Sequence, residues 1–177
     1  MKNLLKGAVL LVGLFAATSV ANAQQKIGHI NADEIFQQTA DFKTATDQLK
    51  VLGDAKQKEI QDMIALLQAK EKEANDLMLN QSEANKTETQ TKLQTLSQEY
   101  QQMQTRIQEV QKVAQEEVQK KQQDLMAPIQ TKVMNAINAV AKEKGYAYIF
   151  DVGSGAAVYF AGGEDVSADV KTKLGIK

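Results

Sequence analysis

The sequence predicts an α+β protein that is mostly α, with a long antiparallel helical-hairpin (coiled-coil) arm on a small β body. Three observations predict it. From Asp54 to Ala127 there is neither Gly nor Pro, and strong helix formers dominate. Apolar residues in that stretch recur by alternating threes and fours, the spacing of a coiled-coil seam. Both ends depart from this pattern: Lys26 to Asn31 and Tyr146 to Ala161 are short aromatic or β-branched runs bounded by Gly and Asn.

The first segment, residues 1–23, reads as a signal peptide. Lys2 and Lys6 make a positive start, and Ala8 to Ala17 is apolar but for Gly13. Ala21-Asn22-Ala23 is a small-x-small cleavage site, with the cut expected after Ala23. The apolar run is too short to span a bilayer. The reading implies export of the mature chain.

Without Lys2 and Lys6 the basic residues number 19 against 22 acidic ones, a formal charge of −3. This argues against nucleic acid as a partner, because phosphate neutralisation needs a basic face. There is no Cys, so neither disulfides nor thiolate metal sites are expected.

The arm is expected over residues 45–125. On its first limb the seam runs Ala45, Leu49, Leu52, Lys56, Ile60, Met63, Leu67, Lys70, Ala74 and Leu77. On the second it runs Leu93, Leu96, Tyr100, Met103, Ile107, Val110, Ala114, Val118, Lys121 and Leu125. A single rod would satisfy the same spacing, so the reversal rests on other residues. Asn80 to Thr87 is polar, lacks a seam and carries Asn and Ser, which favour caps and turns. Folding the chain there, with the tip near 79–88, puts Leu77 opposite Leu93, Met63 opposite Ile107 and Leu52 opposite Val118. It also puts Lys56 opposite Ala114 and Lys70 along Tyr100. An arm of about 35 residues would project roughly 50 Å at 1.5 Å per residue.

One seam between two helices makes a thin core. Off it lie Val51, Ile64, Leu66, Met78, Leu79 and Val113. Scattered surface apolar residues are ordinary, but these six are also candidates for contacting unfolded chains, for which Met is an adaptable filler. Pro128 removes a backbone donor and clashes with the preceding turn, so a kink or break, a hinge of the arm, is expected there.

The body is expected from residues 24–44 and 126–177. Lys26 to Asn31 reads as a strand, with Asn31 capping the next helix and Glu34 reaching back. Ile129, Val133, Ile137 and Val140 continue an apolar helix face to Gly145, the expected stop. Tyr146 to Val152 then reads as a strand, Gly153 to Gly155 as a turn, and Ala156 to Ala161 as its hairpin partner. Gly162 to Asp165 is expected to turn the chain into a last helix, capped by Ser167 or Asp165, with Asp169 in its first turn. Three short strands need covering. Nothing else in one chain looks large enough, so the sheet is expected to associate with copies of itself, using Ile27, Ile30, Tyr146, Tyr148, Phe150, Val158 and Phe160.

The order of signal peptide, KIGHINADEIF, long coiled arm, AKEKGYAYIFDV, AAVYFAGGEDVSADV and closing helix resembles the Skp (OmpH-like) family of periplasmic outer-membrane-protein chaperones. The likeness covers essentially the whole mature chain, and its specificity lies in the two ends. It implies a homotrimer whose strands form a central body. It also implies three helical arms that enclose unfolded outer-membrane proteins in a cavity without ATP. In one respect this chain departs from the family: the best-known relatives are strongly basic, whereas residues 66–106 here hold five basic and six acidic side chains. That weighs against capture by general positive charge, and against contact with membrane or lipopolysaccharide.

No catalytic constellation emerges, so no enzyme activity, cofactor or metal is expected. Asp33-Glu34 and Glu164-Asp165 are adjacent carboxylates that capping explains. His29 is alone, without a second His or a Cys to complete a metal site or triad. Gly153-Ser154-Gly155 lacks the helix with Lys-Ser/Thr of a phosphate loop. The expected function is that of an ATP-independent holdase. The alternative is a structural coiled-coil spacer or tether of the envelope, for which an uninterrupted seam, free of Lys56, Lys70 and Lys121, would be better suited.

Overall fold

The computed structural model describes residues 25–155, 157 and 159–176. The signal peptide, its cut after Ala23, and Val158 lie outside the described residues. The elements are β1 (Ile27–Ile30), α1 (Ala32–Gln38), α2 (Ala40–Leu79), α3 (Lys86–Lys144), β2 (Tyr148–Asp151), β3 (Glu164–Asp165) and α4 (Ser167–Leu174). They fall into two compact units. Described residues from 25–39 and 130–176 form a small α+β body, and Ala40–Ile129 forms a helical arm.

In the body, Asn31 caps α1 as expected, its side chain accepting from Glu34 N–H at 3.1 Å. The Glu34 carboxylate points elsewhere, accepting from Gln38 at 3.0 Å and approaching Lys171 at 3.6 Å. Gly145 stops α3 in the left-handed region (φ 70°), and Tyr146 N–H closes the turn on Ala141 C=O at 3.0 Å. At α4 neither expected residue is the cap: the N-cap is Val166, without a side-chain cap bond, Ser167 is already helical, and Asp165, one residue before the cap, accepts from Ser167 N–H at 2.8 Å.

The sheet corrects the expected topology. Its order is β2-β1-β3, and β1 pairs with both neighbours in parallel, Ile27 with Tyr148 through Ile30 with Asp151, and His29 with Asp165. Among the described residues, no strand of 156–161 pairs with 146–152 as a hairpin. Ala157 and Tyr159 to Ala161 are not in a strand, and Glu164-Asp165, expected as a turn, is β3. The reason lies at Asp151. Its carboxylate takes Gly153 N–H at 3.0 Å and its carbonyl takes the Ser154 hydroxyl at 2.9 Å. The chain curls out of line there, while the other edge of β2 pairs with β1.

One face of this sheet is closed by the chain's own helices. Ile30, Ile35, Val133, Ala136, Ile137, Val140, Tyr146, Val166 and Val170 make a continuous core. Full burial of each large aliphatic side chain contributes about 1.5–3 kcal/mol. Gly28 permits the close approach: a Cβ there would lie 3.0 Å from Val166 and 3.2 Å from Tyr146. The expectation that one chain has too little to cover its strands therefore holds for the other face only. Ile30 and Tyr146, expected at contacts between copies, are buried within the single chain.

In the arm, α2 and α3 are linked by a short turn that Asn85 cross-braces. Its side chain accepts from Ser82 N–H at 2.7 Å and donates to Asn80 C=O at 3.1 Å. Side chains reach between the two limbs, Lys56 to Glu117 at 2.7 Å and Lys70 to Glu99. The helix continues through Pro128, so the expected break is absent.

Candidate functional site

The arm sorts its apolar residues into two populations. Every apolar seam position from Ala45 to Leu77 and from Leu93 to Leu125 is buried or half-buried, with Ala45, Leu96, Ile107 and Ala114 the most enclosed. Of the three seam lysines, Lys56 and Lys70 are held between the helices, whereas Lys121 is exposed. The partner of Lys70 is Glu99, one residue from the expected Tyr100. Thr89, missed in the sequence because it is polar, extends the seam to the turn and is only 4–5% exposed, as is Thr39 where α1 meets α2.

The second population is the six off-seam residues. Val51, Ile64, Leu66, Met78, Leu79 and Val113 are all exposed, from 37% at Ile64 to 83% at Leu79. They are spread along the arm, and Met78 and Leu79 stand at its tip. Two shallow grooves run along α2. One is lined by Val51, Leu52 and Ala55, with Asp47 and Lys121 at its rim. The other is lined by Ala55, Met63 and Leu66, with Lys58, Glu59 and Asp62 beside them. Lys58 is bound to Asp62 at 2.7 Å, so the rim charges satisfy one another locally. Chemically, such a surface offers many separate apolar contacts and no strong net field.

The outer face of the body's sheet is a different surface. Ile27, Tyr148 and Phe150 are exposed there, and Tyr159 and Phe160 are exposed in the segment after β2. The Tyr148 and Phe150 rings lie stacked with centroids 6.2 Å apart, and His29 meets Phe160 at 5.3 Å. Ile27, His29, Phe150, Tyr159 and Phe160 help to line a groove of about 620 Å³ that no described part of the chain fills. Of the seven residues expected to bring copies together, Ile27, Tyr148, Phe150 and Phe160 face outward here. Phe160 lies over His29 and not beside β2.

Charge pairs edge this face. Lys26 bonds Glu164 at 3.1 Å and stands 4.2 Å over the Tyr146 ring. The Tyr146 hydroxyl is buried without a well-aligned hydrogen bond, yet it is close enough to Glu164 to hold that carboxyl below its ordinary range, with Lys26 adding to the effect. Burial pushes the Tyr146 phenol up. Asp165 is also held low, chiefly by Ser167. Lys144, bonded to Asp169 at 2.5 Å, is raised by that partner.

Among the described residues no group of three or more His, Cys, Asp or Glu is placed to hold a metal, and no helix is long and apolar enough to cross a membrane. Asp33 and Glu34 sit in the first turn of α1, where the helix dipole favours them. In comparisons with known proteins, the family model described as "Outer membrane protein (OmpH-like)" matches residues 26–174. No curated protein matches the chain.

Proposed function

Because the chain belongs to the OmpH-like (Skp) family, a family of periplasmic chaperones for outer-membrane proteins and not of enzymes, we propose that it is an ATP-independent holdase. In this reading it is exported by residues 1–23 with the cut after Ala23, assembles as a homotrimer, and encloses unfolded outer-membrane proteins between three arms. The observation that carries the reading is the separation along the arm. Seam residues are spent on holding two helices together, while Val51, Ile64, Leu66, Met78, Leu79 and Val113 remain exposed and make no contribution to that seam.

A holdase needs contacts that are individually weak and collectively sufficient. Six exposed apolar side chains per arm, multiplied by three arms, supply avidity without a deep pocket. Adaptable binding suits clients of different sequence. The arm's thin core and its proline at Pro128, proposed as the hinge, suit clients of different size. The near balance of charge along the arm favours short-range apolar capture over electrostatic attraction and gives no reason to invoke membrane, lipopolysaccharide or nucleic acid.

Assembly is proposed through the outer face of the sheet. Its support is the cluster of Ile27, Tyr148, Phe150 and Phe160, exposed on a body whose other sheet face is already closed. Solvent-facing aromatic clusters of this kind mark interaction surfaces.

The test is to excise the arm between about Ile60 and Val110, joining the limbs by a short turn. The shortened protein is expected to remain a folded trimer and to lose its ability to keep an unfolded outer-membrane protein from aggregating. Full protection by the shortened trimer would refute the arm mechanism.

A further inference from the structure

The sequence has no Cys and no Trp, and it has six Met. With Met1 leaving in the segment 1–23, the mature chain keeps Met63, Met78, Met103, Met126 and Met134, its most readily oxidised side chains. The structure sorts them by access. Met63 and Met103 lie half-buried in the seam of the arm, and Met126 is half-buried too. Met78 and Met134 are open, at 52% and 56% exposure. These two belong to different units: Met78 is in the last turn of α2 at the tip of the arm, and Met134 is on the part of α3 within the body.

At the tip, Met78 shares the large apolar surface with one neighbour, Leu79, which is 83% exposed. The preceding large apolar residue off the seam is Leu66, about 18 Å away along the helix at 1.5 Å per residue. The turn beyond Leu79 is polar. Lys86 approaches Glu83 there at 3.2 Å, and Asn85 is bonded to Ser82 and Asn80.

We propose that Met78 is an oxidation site that sets the arm's hold on unfolded chains: a peroxide converts its thioether to the sulfoxide, and the tip loses one of its two large apolar side chains. The inference rests on the client-holding reading of the arm given above.

In that step a sulfur lone pair attacks one oxygen of hydrogen peroxide; an S–O bond forms and the O–O bond breaks. Sulfur gives up two electrons and the peroxide is reduced. The displaced hydroxide takes the proton of the transferred group and leaves as water. The product is polar and chiral where the thioether was apolar and adaptable. Because Met78 lies off the seam, the change spares the contact between the two helices and is confined to the surface offered to clients. A small loss on each arm multiplies where several arms hold one chain. Methionine sulfoxide reductases undo the reaction, so the tip responds reversibly to oxidant in a compartment that is itself oxidising.

The test treats the mature protein with hydrogen peroxide, beside Met78→Leu and Met134→Leu, since leucine is apolar and carries no sulfur. Peptide mass spectrometry should find sulfoxide at Met78 and Met134 before Met63, Met103 and Met126. Light scattering of a urea-unfolded outer-membrane protein then reads the amount of chaperone needed for half-protection. On oxidation it should rise at least about threefold for the unaltered chain and for M134L, and by less than about 1.5-fold for M78L. Circular dichroism should be unchanged in all three, and a methionine sulfoxide reductase should restore the unaltered chain. Undiminished protection with Met78 fully oxidised overturns the inference. So does an equal loss by M78L, or a loss of helicity that accompanies the loss of protection; each leaves the chaperone reading standing. An untreated chain that gives no protection overturns both. If M78L does not fold, the reductase experiment decides: protection that fails to return as the Met78 sulfoxide is reduced overturns the inference.

Discussion

Lys56 and Glu117 join the two limbs of the arm at 2.7 Å, with the lysine side chain only 25% exposed inside the seam. The pair occupies a level where an apolar pair would pack, opposite Ala114. Glu117 raises the Lys56 pKa, the partner outweighing desolvation. Lys70 and Glu99 repeat the arrangement nearer the tip.

Replacing Lys56 by Leu should therefore stabilise the arm. It adds an apolar contact with Ala114 and gives up an ion pair of the solvent-accessible kind that contributes little to stability. The midpoint of the helical thermal transition should rise. A lowered midpoint would mean that the cross-limb pair, and not apolar packing, sets the register.

The two apolar populations of the arm should separate in mutagenesis. Ile107→Ala, at a position 8% exposed, should cost about 2–5 kcal/mol and lower helicity. Val51→Ser and Val113→Ser should change stability by less than about 0.5 kcal/mol while weakening protection of an unfolded client. Circular dichroism and light scattering on the same samples would show this. Unchanged protection in the combined variant with all six off-seam residues made polar would remove them from client binding.

The body should be sensitive at Gly28 and Asp151. Gly28→Ala puts a methyl 3.0 Å from Val166 and 3.3 Å from the Glu164 carbonyl, an overpacking expected to cost about 1–3 kcal/mol. Asp151→Ala leaves the N–H groups of Ala32 and Gly153 without their acceptor, expected to cost about 1–2 kcal/mol. Asp151→Asn keeps an acceptor oxygen and should recover part of the loss. Urea midpoints of the three variants measure these effects.

Acid should loosen the body through Glu164 and Asp165. Both carboxyls have folded-state values below their ordinary ones, Glu164 through Tyr146 and Lys26 and Asp165 through Ser167. Such groups bind protons more readily when unfolded. Their stabilisation is complete above the ordinary carboxylate range and is lost as pH falls through the folded-state values. Denaturant midpoints should be flat from neutral pH to about pH 5 as far as these two groups are concerned, then fall. Changing Glu164 to Gln should shrink the fall.

The arm was legible in the sequence because its determinants are local. A three-four alternation specifies which residues face inward whatever the rest of the chain does, so seam and off-seam residues separate cleanly in the structure. The Asn31 cap and the Gly145 stop were legible for the same reason, each depending on a few neighbouring residues. The sheet was not. Tyr148 to Asp151 pairs with a strand about 120 residues earlier, and no local pattern distinguishes that parallel partner from the nearer Ala156 to Ala161 run. The two-residue β3 and the polar seam member Thr89 carry no apolar signal. The outward aromatic face was legible as a set of residues but not as a face, since which side of a strand is covered depends on the helices that fold over it.

Native mass spectrometry of the mature protein, alone and after a urea-unfolded outer-membrane barrel protein is diluted into it, tests the central claim most directly. The expected spectrum is a trimer that becomes a trimer carrying one client. An intact assembly that ignores the unfolded client would contradict the holdase and point to a spacer of the envelope.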